Sequence, residues 1–328
     1  MTAVREVPTT RQRAARLLRG DARPIVVSYL VAGAIFLVAT ALASNFATTN
    51  NISTLLLQAS FIGIAGLGQT FVLLGGGLDL SIPWVMTGSA ILISRLADGD
   101  NGVLLWAVPL ALLLSAVVGV VNGIGVTRLH VSPIVMTLGI SGVIQGCVLL
   151  YTQGKGSPGA PPLVVHLAKN GLGPFTYMTL IWIFLAAVAT VVLGRTAYGR
   201  RLYATGANPV VARFSGIRTP VVQTSTYVIS SLTASLAGML LLGYTATPFL
   251  SMGSPYLFTS IAAVAVGGTS ILGGHGSYLG TVAGALVITL LAALLPILNL
   301  SQAALPIVYG VVILVAVTMA SGRFARAS

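Results

Sequence analysis

Apolar residues are grouped along this chain into blocks at 25–43, 52–74, 81–97, 103–126, 131–151, 175–194, 221–243, 257–272, 278–296 and 303–320, with short polar or glycine-rich gaps between them. A helix needs ~20 apolar residues to cross a bilayer, so most blocks are long enough, while 81–97 and 257–272 are marginal. The pattern predicts an all-α integral membrane protein with about ten transmembrane helices. Residues 1–24 form a basic segment before the first block, 25–320 a single polytopic domain, and 321–328 a short tail. The gap 152–174 holds Gly154, Gly156, Pro158, Gly159, Pro161 and Pro162, which predicts irregular backbone and no further span. Ala41-Leu42-Ala43 looks like a signal cleavage site, but the long basic segment ahead of it favours an uncleaved first helix.

The gap at 195–218 differs from the rest. It carries five of the 17 lysines and arginines, at Arg195, Arg200, Arg201, Arg213 and Arg218, and no acid. Asn208 to Phe214 reads as a short helix, with Pro209 at its first position, where a missing N–H costs nothing, and Gly216 where it stops. A compact basic helix between two spans is placed to touch a partner at the membrane surface.

Composition agrees with the block pattern. Hydrophobic residues make up 56% of the 328, charged residues 7%, and mean hydropathy is +0.97. Soluble domains carry about 25% charge, so lipid is the solvent here. The net charge of +12 is not a nucleic-acid signal, because the cations lie in the gaps. They also orient the bundle. Arg5, Arg11, Arg13, Arg16, Arg19, Arg23, Arg128, the five of the 195–218 loop, Arg323 and Arg326 fall on one side if the span number is even. Arg95, Lys155 and Lys169 fall on the other, with Asp98 and Asp100. By the positive-inside rule the first side is cytoplasmic, and with it both termini. The single cysteine, Cys147, excludes an intrachain disulfide and leaves the redox compartment open.

Among side chains that can carry chemistry, Asp79 is the most unusual: no other acid lies between Asp21 and Asp98. In Gly76-Gly77-Leu78-Asp79-Leu80-Ser81-Ile82-Pro83 it reads as a helix cap, with Asp79 or Ser81 capping. It also reads as a conformational lock or an ion site, because acids within membranes are often functional. Both readings stay open at this point. The uncharged polar residues inside spans, among them Gln69, Asn122, Thr137 and Gln145, suit either a path for a neutral polyol or hydrogen bonds between helices. Together with Asp79 and Ser81 they are the candidates for a translocation path or gate. Gly63, Gly66, Gly139 and Gly142 predict close helix packing. No phosphate-binding loop is present, since Gly154-Lys155-Gly156-Ser157 lacks the spacing and Gly273-Gly274-His275 lacks the lysine. His130, His166 and His275 are scattered, so no metal set and no catalytic pair can be drawn. The chain is expected to bind no cofactor and to be no enzyme.

Five segments, in order along most of the chain, resemble the sugar branch of bacterial ABC-importer permeases, the ribose, xylose and arabinose permease family. Gly76-Gly77-Leu78-Asp79-Leu80-Ser81 is similar to its Gly-Gly-Ile-Asp-Leu-Ser motif, and Pro133-Ile134-Val135-Met136-Thr137-Leu138-Gly139 to its Pro-Phe-Ile-x-Thr-Leu-Gly segment. Tyr151-Thr152-Gln153-Gly154 resembles the end of that helix. Gly199-Arg200-Arg201-Leu202-Tyr203-Ala204-Thr205-Gly206-Ala207-Asn208 resembles the Gly-Arg-x-x-Tyr-Ala-x-Gly-Gly-Asn signature, and 262–270 the Ala-Ala-Val-x-Leu-Gly-Gly-Thr-Ser segment. Leu78, Pro83-Trp84 and Ala207 depart from the family pattern.

The resemblance implies a membrane permease subunit for a monosaccharide or related polyol in the bacterial inner membrane. It implies a second permease copy or paralogue, a separate ABC ATPase holding ATP and magnesium, and a periplasmic or lipid-anchored sugar-binding protein. Within the 195–218 loop, Arg200, Arg201, Gly206, Asn208, Pro209, Val210, Val211, Arg213, Phe214 and Gly216 are the candidates for coupling to that ATPase. Two other classes compete: an ion-driven secondary transporter using Asp79, and a membrane scaffold without transport.

Overall fold

The computed structural model describes residues 10–311, 313 and 314, with side-chain surroundings from Arg23 onward except at Gln302. Arg5, Arg323, Arg326 and the 321–328 tail lie outside the described residues. The helices are α1 (Thr10–Leu42), α2 (Thr49–Leu74), α3 (Ile82–Ala97), α4 (Leu104–Thr127), α5 (Pro133–Thr152), α6 (Pro162–Lys169), α7 (Tyr177–Arg195), α8 (Ala197–Ala207), α9 (Pro209–Phe214), α10 (Thr219–Thr245), α11 (Tyr256–Val266) and α12 (Tyr278–Ile297). A further helix starts at residue 305. Each predicted apolar block overlaps a helix, although residues 315–320 of the last block lie outside the described residues, and seven of the described helices are long and apolar enough to cross a membrane. The fold is all-α.

Two blocks are broken spans. Helix α3 has 16 residues, about 24 Å of rise, and is preceded by non-helical backbone over 77–81. The block expected to be apolar helix through residue 272 stops at Val266, where Gly267 packs against Gly280 and Gly268 takes φ +83°. The gap 152–174 is more ordered than its prolines and glycines suggested. Pro162 starts the eight-residue α6, and β1 (Gly171–Leu172) pairs antiparallel with β2 (Phe175–Thr176). The sequence signal was ambiguous because proline both breaks a helix and begins one.

Helices α2 and α10 are buried on most sides, and α12 on more than half. By contrast α1, α4, α5 and α7 bury one narrow face and turn Leu30, Leu113, Leu138 and Phe184 outward. That arrangement is stable only if lipid covers the periphery. Glycines let the central helices approach closely. A Cβ at Gly68 would lie 2.5 Å from Ser230 Cα, and one at Gly119 would lie 2.5 Å from Val228 Cα. Gly63 and Gly66 likewise face Trp182 and Thr281, as expected of packing glycines. Gly139 and Gly142 do not: on the outward side of α5 no atom lies within 4 Å of the Cβ each would carry.

The helix ends sort the charges. Pro24 packs on Gly268 and Tyr29 donates to the Leu279 carbonyl, so the start of α1 lies beside the 267–277 turn. Tyr203 of α8 donates to the Gly276 carbonyl at 2.8 Å, which puts α8 at the same end. At the opposite end, Arg95 donates to the carbonyls of Thr152 (3.2 Å) and Gly156 (3.1 Å), tying α3 to the loop before α6.

Candidate functional site

Two arrangements stand out, one inside the bundle and one at its Arg-rich end.

The interior arrangement is centred on Asp79, which is 1% exposed. Its Oδ1 accepts from the Ser81 N–H (2.9 Å) and from the Ser81 hydroxyl (2.6 Å). Its Oδ2 accepts from the Ser230 hydroxyl on α10 at 2.6 Å. Asn122 of α4 donates to Ser81 Oγ at 3.0 Å, which leaves the Ser81 proton free to point at Asp79. The carboxyl oxygens thus take up three hydrogen bonds, two with Ser81 and one with Ser230. Thr137 of α5 accepts from the Leu80 N–H at 3.0 Å and donates to the Pro133 carbonyl at 2.8 Å. The 77–81 segment is thus held from three sides, by α4, α5 and α10.

This differs from the capping expectation. Ser81 stands at the position before α3, but no side chain caps that helix. Asp79 reaches across to α10 instead, and Ser230 was not singled out in the sequence. Four of the six path candidates, Asp79, Ser81, Asn122 and Thr137, meet here. Gln69 does not join their hydrogen bonds: it is fully buried on α2, and both amide atoms lack a partner among the described residues. Gln145 is exposed on α5 and belongs to neither group.

The second arrangement is the α8–α9 unit. Thr196 caps α8 by accepting from the Gly199 N–H at 3.3 Å. Asn208 ends α8 and caps α9, its Oδ1 accepting from the Val210 and Val211 N–H groups at 3.0 Å each. Pro209 occupies the first position of α9, and Gly216 closes the unit at φ +82°. The predicted helix at 208–214 is present; α8 ahead of it was not anticipated.

Helix α8 is seated firmly. Leu202 and Thr205 are buried, and Phe71 stacks on Tyr198 with centroids 6.3 Å apart. The Tyr198 hydroxyl donates to Ser225 Oγ at 2.8 Å, since that serine's own proton goes to the Val222 carbonyl, and burial raises the phenol pKa above the usual value. Gly206 is the tightest point. A Cβ there would collide with the Leu74 carbonyl and lie 2.7 Å from the Gly274 nitrogen. Gly274 in turn donates to the Leu74 carbonyl at 3.0 Å. The two glycine-rich turns, after α2 and after α11, therefore meet each other and grip α8 between them.

What α8 buries, α9 exposes. Ala212 alone of that helix is buried, while Val210 is 61%, Val211 59% and Phe214 89% exposed. Arg213 on α9 and Arg200 and Arg201 on α8 are exposed as well. An exposed apolar helix face carrying a cation, on a rigid seat, is a surface suited to a partner with an acid-rimmed groove.

Over residues 51–317 the chain matches the family described as branched-chain amino acid transport system / permease component. It belongs to that family. The permease is 33% identical over 292 residues to the ribose import permease protein of Escherichia coli (strain K12), covering 85% of this chain and 88% of that one. It is 28% identical over 286 residues to the fructose import permease protein of Rhizobium meliloti, covering 85% and 79%. It is 30% identical over 259 residues to the autoinducer 2 import system permease protein of Yersinia pseudotuberculosis, covering 78% and 73%. No solved structure matches the permease. The resemblance drawn from the five sequence segments is borne out, and the protein is a multi-pass membrane permease component.

Proposed function

We propose that this permease is the transmembrane subunit of an ATP-driven importer for a monosaccharide or related polyol in the bacterial inner membrane. The observation that carries the reading is the α8–α9 unit, which exposes Phe214 and Arg213 on a seat fixed by the Gly206 contact. A separate ATPase holding ATP and magnesium takes that surface into a groove. A second permease copy or paralogue completes the membrane unit, and a sugar-binding protein delivers the substrate at the opposite end. The import permeases for ribose, fructose and autoinducer 2, similar over most of their length, support a small polyhydroxylated cargo. Movement of the ATPase turns α8. The grip of Leu74 and Gly274 on that helix passes the motion to α2 and to the turn before α12, a rigid-body switch. The Asp79 cluster holds the 77–81 segment to α10 as this happens, and Gln69, Asn122 and Thr137 lie along the polar interior.

Proteoliposomes containing the permease with its ATPase and binding protein test this. Ribose uptake is expected to need ATP and to persist when ionophores collapse the H⁺ and Na⁺ gradients. Uptake that survives without ATP and stops with the ionophores would show an ion-coupled transporter instead.

Both termini and the α8–α9 unit are assigned to the cytoplasm, because most cations gather at that end. In a Cys147→Ala background, Thr10→Cys and Ala207→Cys should resist an impermeant thiol reagent in intact cells, while Ser157→Cys reacts. Labelling at position 207 in intact cells would reverse the orientation.

A further inference from the structure

A groove of about 440 Å³ lies between the end of α4 and the start of α10, at the end of the bundle that carries the α8–α9 unit. A Cβ at Gly123 would lie 2.6 Å from Thr224 Cα, so the two backbones touch there and larger side chains stand up as walls. Ile124, Val221, Val228 and Ile229 line those walls. Val221 is 62% exposed, and the groove opens outward, toward the membrane.

The polar groups in the wall are already occupied within the protein. Thr127 donates to the Gly123 carbonyl at 2.7 Å, and the Thr224 hydroxyl lies 3.3 Å from Thr127 Oγ1. Ser225 donates to the Val222 carbonyl and accepts from Tyr198 of α8. Groups paired in this way gain little from a hydroxylated ligand, and the surface left over is hydrocarbon.

Arg128 is the exception. It lines the same groove just past the last residue of α4, and it is exposed. Arg218, also exposed, stands two residues before Pro220 of the opposite wall. No described acid side chain balances them at this end: Asp79 is enclosed in the bundle, and Asp98 and Asp100 follow α3 at the other. An apolar body with a cationic mouth matches an amphiphile that joins an acyl chain to an anionic head. A free anion would leave the apolar body to water, and a zwitterionic head would leave the cations uncompensated.

The geometry points to a binding site for an anionic phospholipid, with one acyl chain in the α4–α10 groove and its phosphate at Arg128. Arg218 adds to the attraction. The site does not depend on what the permease carries. Because Tyr198 ties α8 to Ser225 in the same wall, a lipid seated there also braces the seat of the α8–α9 unit.

Native mass spectrometry of the delipidated permease, without ATPase or binding protein, tests the site with dioleoylphosphatidylglycerol and dioleoylphosphatidylcholine. One phosphatidylglycerol should bind ahead of all others, and phosphatidylcholine at least about five-fold more weakly. Arg128→Gln should weaken phosphatidylglycerol about five-fold. Arg195→Gln, at the end of α7 and outside the groove wall, should leave it unchanged. Ile124→Trp and Val221→Trp, which fill the groove from opposite walls, should each remove the tight site. Phosphatidylglycerol should raise the melting temperature of the unaltered permease in detergent, and of neither tryptophan variant. Equal binding of the two lipids, equal losses from Arg128→Gln and Arg195→Gln, or unchanged binding in both tryptophan variants would overturn the assignment. Displacement by inorganic phosphate would reduce the site to a surface anion contact. A lipid-free dimer broken by Ile124→Trp would make a second copy the occupant. Either result also overturns the lipid.

Discussion

Arg213→Glu combined with Phe214→Ala is expected to abolish ATPase co-purification and sugar uptake while leaving membrane insertion normal. Both residues are exposed, Phe214 at 89%, so the permease's own fold loses almost nothing when they change. Their value appears only when a partner covers them. A buried aromatic anchor is worth about 2 kcal/mol or more at an interface, and a reversed charge several kcal/mol. Together these predict a loss of affinity on the order of 10²–10³-fold. Pull-down of the ATPase and uptake by intact cells measure the two effects separately. If both remained normal, the loop's arginines would be serving orientation alone, and the α8–α9 unit would drop out of the mechanism.

Asp79→Leu is expected to be the most damaging single change in the interior, and Asp79→Asn a mild one. Leucine would strand three buried donors, the Ser81 N–H and the hydroxyls of Ser81 and Ser230. Each unsatisfied group costs about 1–3 kcal/mol, against a total stability of ~5–15 kcal/mol. The 77–81 segment would detach from α10, and both the melting temperature in detergent and the uptake should fall. Asparagine keeps one oxygen for the Ser81 pair and turns its amide toward Ser230, whose hydroxyl can accept. Transport near normal with Asn and lost with Leu would identify a structural cross-link. A well-folded but inactive Asp79→Asn permease would show that the charge itself is needed, which is the ion-coupled alternative.

The sequence by itself determined the seven long spans among the described residues, because a long apolar block must meet lipid whatever its neighbours are, while the breaks at 77–81 and after Val266 were left to the tertiary structure. It also determined α9: Asn208, Pro209 and Gly216 act over a few residues of backbone, and a cap forms from those alone. The family, too, was legible in five ordered segments. Only the tertiary structure decided which polar groups meet. Ser230 stands 151 residues from Asp79 and looks like any serine on an apolar helix until α10 crosses the 77–81 segment. Gln69 and Gln145 read alike in sequence, yet one is fully buried and the other faces outward. Likewise, nothing local shows that the two glycine-rich turns grip Gly206, or that Arg128 and Ile229 line one groove. Lipid-exposed helices are apolar on nearly every side, so their periodicity does not reveal which side faces the bundle. That rotation is set by packing against helices distant in the chain.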